Sequence, residues 1–196
     1  MVLAQKIAGT IIGLDQFKAF IDVFNDTAKK LNLQDRVHGI IGSMDDLSFE
    51  KGEFDLIWSE GAIDTIGFEH GLSYCNGFLK KDGYIAVTCP SWLTNEPHPE
   101  IEKFWAEAGS SLDTIDHNVS ILKKTGYEPI ETFALPASCW TNNYYMPREA
   151  ADKMLLEKYP GNQVVKEFIE NNNYEVELYS KYNQYYGYVF YIGKKI

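Results

Sequence analysis

Two short blocks of the sequence combine an apolar run with an acidic residue at its end. The first is GTIIGLD at residues 9–15, ending in Asp15, and the second is GSMD at residues 42–45, ending in Asp45. An apolar run of this length is typical of a strand buried in a parallel sheet, and ligands of such sheets bind at the carboxyl ends of the strands. Carboxylates at neighbouring strand ends face one crevice, where they can bind the hydroxyls of a ribose or an adenine amino group.

Each of these blocks also has a purely local interpretation. Asp15 can cap the helix that begins near Phe17, and residues 43–46 can form an ordinary cap and turn. A third block, SEG at residues 59–61, follows another apolar run, and its Glu60 can hold a ligand's ammonium group. Ser, Glu and Gly are also common in strand-to-helix turns, so this block has a structural alternative as well.

The histidines and cysteines give little support to metal or nucleophilic chemistry. The histidines, His38, His70, His98 and His117, form no metal-binding pair with an acidic partner. The cysteines, Cys75, Cys89 and Cys139, are odd in number and contain no C-x-x-C pair, so we expect neither a disulfide framework nor a zinc site. Only His98 lies in a loop expected to overhang the crevice. It is our candidate general base, and a solvated loop residue is the alternative.

Composition narrows the class of protein further. A chain of 196 residues that is 45% hydrophobic fits one domain, or one domain with an inserted cap. The net charge of −10, with no long basic run, disfavours nucleic acid as a partner. Neither a signal peptide nor an apolar run of about 18 residues is found, so we expect no membrane span and a cytoplasmic location.

The hydrophobic pattern predicts strands alternating with helices, which specifies a parallel α/β sheet with right-handed crossovers. Predicted strands cover residues 10–14, 37–41, 54–59, 84–89, 127–135 and 186–192, and predicted helices cover residues 1–7, 17–31, 66–79, 101–108, 115–125 and 163–182, with one more beginning at Pro147. We expect a turn at residues 80–83 and a strand end at Pro90. Residues 91–100 and 136–146 are predicted to be irregular loops.

Four blocks occur in a characteristic order and spacing: GLD at residues 13–15, GSMD at 42–45, FDLIWSEG at 54–61 and LKKDGY at 79–84. In this the chain resembles class I S-adenosylmethionine-dependent methyltransferases, and most of all small-molecule methyltransferases of the ubiquinone-biosynthesis type found in gut bacteria. The resemblance implies a Rossmann-like, doubly wound, mostly parallel sheet with an antiparallel last strand. It also implies one domain over residues 1–196, with cap or substrate segments at about 91–125 and 136–182.

The resemblance assigns S-adenosylmethionine as the cofactor and gives roles to specific residues. Asp15, with Gln16 beside it, would take the ribose hydroxyls; Ser43 and Met44 would border the adenine, and Asp45 would bind its amino group. Ser59, Glu60 and Gly61 would line the methionine end. Candidate contacts to a small-molecule acceptor are Trp92, His98, Trp105, Trp140 and Tyr144. Such chemistry needs no metal.

One feature of the family is not found in this sequence. Its first strand and glycine-rich loop would precede Met1, so we expect an N-terminally truncated chain whose methyl transfer is impaired. Two other functions remain open: a nicotinamide-dependent oxidoreductase, which also places an acidic residue after its second strand, and a non-catalytic binding module. If the chain self-associates, a homodimer is the expected form.

Overall fold

Residues 1–50 form a small α/β unit, and residues 51–196 form a larger one, in the computed structural model, which describes residues 1–196. The elements of the first unit are α1 (Val2–Lys6), β1 (Ile11–Asp15), α2 (Lys18–Lys30) and β2 (Val37–Ile41). Strands β1 and β2 pair in parallel, from Ile11 opposite Val37 to Asp15 opposite Ile41. The predicted order of elements is therefore confirmed here.

Helix α2 packs closely on this two-stranded sheet because Gly13, the residue beneath it, has no side chain. A Cβ atom on Gly13 would lie 2.8 Å from Cζ of Phe24, so a larger residue would push the helix away. Ile21 and Ala28 are buried on the same helix face. Ile21, Phe24 and Ala28 recur with a helical period, so sequence spacing alone predicts this face of the helix.

The expectation of strands buried on both faces is wrong for this unit. Of the residues in β1 and β2, only Val37 is buried, while Ile40 and Ile41 are 38% and 57% exposed. Phe17 and Phe20 also fit the helical period of the apolar residues around α2, but both are exposed. Periodicity identifies the element type, but burial depends on what packs against it.

The second unit contains a five-stranded mixed sheet with helices connecting its strands. Its elements are β3 (Phe54–Ser59), a 3-10 helix (Ile63–Ile66), α3 (Phe68–Asn76), β4 (Leu79–Trp92), α4 (Pro99–Glu107), β5 (Asp113–Thr114), α5 (Ile115–Lys124), β6 (Tyr127–Ala134), α6 (Ser138–Trp140), a π-helical turn (Thr141–Tyr145), α7 (Met146–Lys158), α8 (Gln163–Tyr182) and β7 (Tyr186–Lys195). The strand order is β3-β4-β7-β6, and short β5 pairs with the end of β4. Strand β7 is antiparallel to both neighbours, which confirms the prediction of an antiparallel last strand.

Four predictions for this unit are wrong, and the first two concern strand β4. Strand β4 includes residues 80–83 and continues through Pro90 to Trp92. On one side of β4, the pairing with β3 ends at Val87 and the pairing with β5 begins at Ser91. Pro90 lies in the gap between these two neighbouring strands, where a proline is tolerated.

The other two corrections concern helices. The predicted helix over residues 66–79 is split at Gly67, whose φ of 84° leaves the helical region. The segment 136–146, expected to be irregular, is helical from Ser138 and continues into α7. Its aromatic residues pack against other elements, and this packing stabilises a helix that the local sequence does not predict.

Two hydrophobic cores fill the second unit. One lies among α3, α5 and the sheet, and its fully buried members include Leu72, Ile85, Leu122 and Val189. The other is aromatic and is built from Trp92, Trp140, Tyr179, Tyr182 and Tyr186. Aromatic residues in the last third of the chain thus contribute to the core.

A buried polar network connects α5 to the sheet within the first of these cores. The Asn118 amide donates to Ser91 Oγ and to the Tyr191 hydroxyl, each at 3.1 Å, and Ser91 Oγ lies 2.7 Å from that hydroxyl. All three side chains are buried, so their hydrogen bonds satisfy groups that would otherwise be costly to bury. Elsewhere, no helix has both the length and the apolar character needed to cross a bilayer.

We expect Leu122→Ala to lower the free energy of unfolding by about 2–5 kcal/mol, because it removes a fully buried side chain and leaves a cavity. Val164→Ala is the matched control, since Val164 is 74% exposed and its change should stay within about 0.5 kcal/mol. Urea unfolding measures both. Equal effects of the two substitutions would contradict the assigned core.

Candidate functional site

Asp15 lies at the carboxyl end of β1 with its side chain half-buried. Its Oδ1 accepts the backbone N–H of Phe17 at 2.8 Å, which turns the chain into α2. The local interpretation of this residue is therefore correct in geometry, but it uses only one carboxylate oxygen. The neighbouring Gln16 is exposed.

The second block lies directly beside the first. The N–H of Gly42 donates to the carbonyl oxygen of Asp15 at 3.0 Å, so the ends of β1 and β2 are hydrogen-bonded to each other. The N–H of Asp46 donates to the carbonyl of Ser43 at 3.2 Å, closing a turn. Met44 is half-buried and Asp45 is exposed. The fold thus brings together the two acidic strand ends that the sequence singles out.

The third block is shaped by contacts to β4 and β7. Gly61 has a φ of 59°, a conformation that side chains disfavour, and its N–H donates to Thr88 Oγ1 at 2.7 Å. A Cβ atom on Gly61 would lie 3.4 Å from the Tyr188 hydroxyl. Glu60 accepts a hydrogen bond from the Trp58 indole at 2.5 Å through Oε1. The loop after β3 is therefore held in a defined conformation.

Three titratable groups gather beside this loop. Burial raises the pKa of the Cys89 thiol to about 12, and the nearby Asp64 adds to the shift. Burial also raises the pKa of the Tyr188 hydroxyl, again with Asp64 as the first of the neighbouring charges. The pKa of Asp64 itself is raised, mainly by burial. This low-dielectric cluster lies at the carboxyl ends of β3 and β4.

Sequence reasoning missed Asp64 and Tyr188 as members of this cluster, and it missed Thr88 as the residue that holds the loop. Asp64 follows the SEG block by only a few residues, so its position after a strand end is a signal that could have identified it. Thr88 and Tyr188 could not be found in that way. They reach the loop only because β7 returns beside β4, where Tyr188 pairs with Pro90.

The predicted acceptor-contacting aromatics occupy different environments. Trp140 is stacked between Tyr179 and Tyr188, with ring centroids 4.8 Å away on each side. Trp92 and Trp105 both pack edge-on against Tyr186. Only the predicted contact residue Tyr144 is largely exposed, at 48%. The indole N–H groups of Trp105 and Trp140 are buried and have no hydrogen-bond acceptor.

His98, the candidate general base, has a structural task in this fold. Its Nδ1 accepts the N–H of Glu100 at 3.3 Å and so caps α4, and its ring lies 4.3 Å from the ring of Tyr182. Glu100 in turn accepts hydrogen bonds from Tyr182 and Lys181, which lower the pKa of its carboxyl. This arrangement favours a positioning role for the histidine at the start of the helix.

A cavity of about 300 Å³ lies in the segment that contains α7 and α8, with Tyr145, Arg148, Asp152 and Val176 among its lining residues. Arg148 donates to Glu175 at 2.7 Å and to the carbonyl oxygen of Asn172 at 2.7 Å. These bonds tie the two helices together. No group of three or more His, Cys, Asp or Glu side chains is arranged to hold a metal ion.

Comparison with known proteins finds a family model that matches part of the chain and solved structures that share its fold. Residues 1–87 match the family model of a methyltransferase domain. No curated protein gives a significant match to the chain.

Among solved structures, a SAM-dependent methyltransferase from Thiobacillus denitrificans in complex with S-adenosyl-L-homocysteine has a TM-score of 0.80, with 17% identity over 100% of this chain and 79% of that one. A SAM-dependent methyltransferase from Geobacter sulfurreducens, also in complex with S-adenosyl-L-homocysteine, has a TM-score of 0.79, with 18% identity over 99% of this chain and 88% of that one. A geranyl diphosphate C-methyltransferase from Streptomyces coelicolor has a TM-score of 0.65, with 17% identity over 100% and 67% of the two chains. These likenesses show the Rossmann-like fold.

We expect Gly61→Ala to lower the free energy of unfolding by about 1–2 kcal/mol, because alanine is strained at the positive φ of this position. Gly77→Ala is the control: Gly77 has helical backbone angles, so alanine should be neutral or stabilise by about 0.4–1 kcal/mol. Chemical unfolding of the two variants beside the wild type tests the loop conformation, which would be refuted by a neutral Gly61 variant.

Proposed function

We propose that this chain is an S-adenosylmethionine-dependent methyltransferase and that it transfers the methyl group to a small-molecule acceptor. The observation that carries the proposal is the methyltransferase-domain match over residues 1–87, together with a fold shared with enzymes that bind S-adenosyl-L-homocysteine. One neighbour in fold was solved with geranyl diphosphate, which supports a small molecule as the acceptor class.

In the first unit, we assign the ribose and adenine of the donor to the two hydrogen-bonded strand ends. Asp15 has a carboxylate oxygen, Oδ2, that is not used by the turn, so it can accept hydrogen bonds from the ribose hydroxyls, with Gln16 beside it. Ser43 and Met44 would border the adenine, and the exposed Asp45 would accept its amino group. A carboxylate that accepts such bonds forms strong, charge-assisted interactions.

In the second unit, we assign the methionine end of the donor to Ser59, Glu60 and Gly61. Gly61 exposes backbone without a side chain, so a ligand can approach it closely. Glu60 offers Oε2 to an ammonium group while Oε1 stays bound to Trp58. The bond from Gly61 to Thr88 holds this loop in place before any ligand arrives.

The chemistry required of the protein is mainly positioning. When bound, S-adenosylmethionine supplies an electrophilic methyl group on a sulfonium, and the chain has to hold an acceptor nucleophile in line with it. We assign this holding role to the cap segments at about 91–125 and 136–182, with Trp92, Trp105, Trp140 and Tyr144 as contacts. Aromatic contacts of this kind would favour a planar or apolar acceptor, as expected for the ubiquinone-type enzymes that the sequence resembles.

Two further features of the proposal concern affinity and location. Strand β1 pairs only with β2, and β3 pairs only with β4, so each has an edge open to another strand. We propose that a strand with a glycine-rich loop, paired at such an edge, would strengthen donor binding. All three cysteines are free thiols, which supports a reducing compartment such as the cytoplasm.

Calorimetric titration with S-adenosyl-L-homocysteine tests the donor site. We expect binding by the wild type and an affinity about 10- to 100-fold lower for Asp15→Ala, because a hydrogen bond to a charged group contributes about 1.5–3 kcal/mol. Asp26→Ala is the matched control, since Asp26 is an exposed aspartate on α2 of the same unit. It should bind like the wild type.

Replacing the ligand distinguishes the other functions. Heat with NAD but not with S-adenosyl-L-homocysteine would indicate a nicotinamide-dependent enzyme. If neither ligand binds, the same titration is repeated with a chain extended at its N-terminus by a strand and a glycine-rich loop. Binding only by the extended chain supports the proposed contribution of that loop, whereas no binding by either chain indicates a non-catalytic module.

A further inference from the structure

The cavity lined by α7 and α8 contains a buried carboxylate that has no cation beside it. Asp152, on α7, is only 9% exposed and forms part of the cavity lining. It takes part in none of the ion pairs of the structure, although Arg148 and Lys153 on the same helix each form one. Aspartates are rarely buried in this way unless they are paired, so the carboxylate of Asp152 calls for a partner.

The hydrogen bonds that Asp152 accepts do not supply that partner. Nδ2 of Asn172 lies 3.2 Å from Oδ1 and 3.3 Å from Oδ2 of the carboxylate. Both distances are long for a hydrogen bond to an ionised group, which is typically about 2.7–2.9 Å. A carboxylate has about four acceptor sites, and one neutral amide shared by its two oxygens leaves most of them unused. Its negative charge is also left uncompensated.

The other charged side chains at the cavity are paired with each other. Arg148 donates to Glu175 at 2.7 Å, and Lys153 donates to Glu149 at 2.7 Å. Lys153 directly follows Asp152, so it projects from the helix about 100° away and faces a different direction. Because each of these pairs is neutral, Asp152 determines the net charge of the cavity, which is negative.

The shape and the remaining lining of the cavity restrict the kind of cation that fits. Tyr145, Met146 and Val176 give it an apolar part, and its volume of about 300 Å³ is large enough for a small organic molecule. A metal ion is disfavoured, since no three His, Cys, Asp or Glu side chains are grouped to hold one. The amide of Asn173, also in the lining, offers a further acceptor for an N–H group.

We propose that this cavity binds a primary amine with a small apolar body, whose ammonium group donates hydrogen bonds to Asp152. A primary alkylamine is protonated at neutral pH, as the lysine side chain is, and its ammonium has three N–H donors. Its apolar body packs on Tyr145, Met146 and Val176. Such a site is independent of the proposed function, because all its contacts lie within residues 141–176 and no methyl donor takes part.

Calorimetric titration with 2-phenylethylamine, without any methyl donor, tests the site. We expect the wild type to bind it and Asp152→Asn to bind it about 10- to 100-fold more weakly, the loss expected for a hydrogen bond to a charged group. Glu157→Gln is the matched control, because Glu157 is an exposed carboxylate on the same helix and does not line the cavity. It should bind like the wild type.

Two analogues of the amine test the chemistry of recognition on the wild type alone. The alcohol 2-phenylethanol has the same ring without the charge, and the trimethylated amine has the charge without an N–H donor. We expect each to bind at least about 10-fold more weakly than 2-phenylethylamine. Equal affinity for the alcohol would overturn the role of charge, and equal affinity for the trimethylated amine would overturn the hydrogen bond to Asp152.

A second variant separates loss of binding from loss of folding. Val176→Phe fills the cavity while Asp152 stays in place, so it should abolish binding, whereas Val176→Ala keeps the cavity open and should retain it. Thermal unfolding verifies that each variant is folded. A wild type that does not bind 2-phenylethylamine at millimolar concentration, or a folded Asp152→Asn variant with unchanged affinity, would overturn the inference.

S-adenosyl-L-homocysteine provides the comparison with the proposed function. Asp152→Asn should bind it with the affinity of the wild type, because Asp152 is not among the residues assigned to the donor. If the wild type binds 2-phenylethylamine but not S-adenosyl-L-homocysteine, the proposed function fails and the amine site stands. The opposite result refutes the amine site alone.

Discussion

The antiparallel pairing of β4 with β7 is the constraint on which the larger unit depends. It runs from Tyr84 opposite Lys194 to Trp92 opposite Tyr186, and it places the last strand in the middle of the sheet. Side chains alternate between the two faces of a strand, so one face of β7 supplies Val189 to the core under α3 and α5, whereas the other supplies aromatic rings to the cap. One ladder of backbone hydrogen bonds therefore supports both cores.

The same pairing shapes the region assigned to chemistry. Thr88 of β4 holds the loop after β3 through the N–H of Gly61, and Tyr188 of β7 closes over that glycine. Trp140 then stacks on Tyr188, which connects the helical cap to the sheet. A change in the register of β7 by one residue would turn Tyr188 to the opposite face and remove this support. The site is therefore rigid because it is built on strands and not only on loops.

The two units differ in how completely their strands are covered. In the larger unit most of β4 and β7 is buried, as expected for strands with neighbours on both sides and helices above and below. In the smaller unit, β1 and β2 pair only with each other, and much of their apolar surface is accessible. An apolar strand that is left uncovered keeps a capacity to pair or pack, which is why we connect donor affinity with an added strand.

The sequence by itself determined the order of strands and helices and the acidic residues at the ends of β1 and β2, because each depends on local periodicity or on a short motif. The antiparallel direction of the last strand was implied only by the family resemblance. The tertiary structure alone decided that β4 passes through Pro90, that residues 138–145 are helical, that His98 caps a helix and that Oδ1 of Asp64 is buried without a hydrogen bond. Each of these outcomes depends on contacts between residues far apart in the chain, and a local pattern carries no information about such contacts.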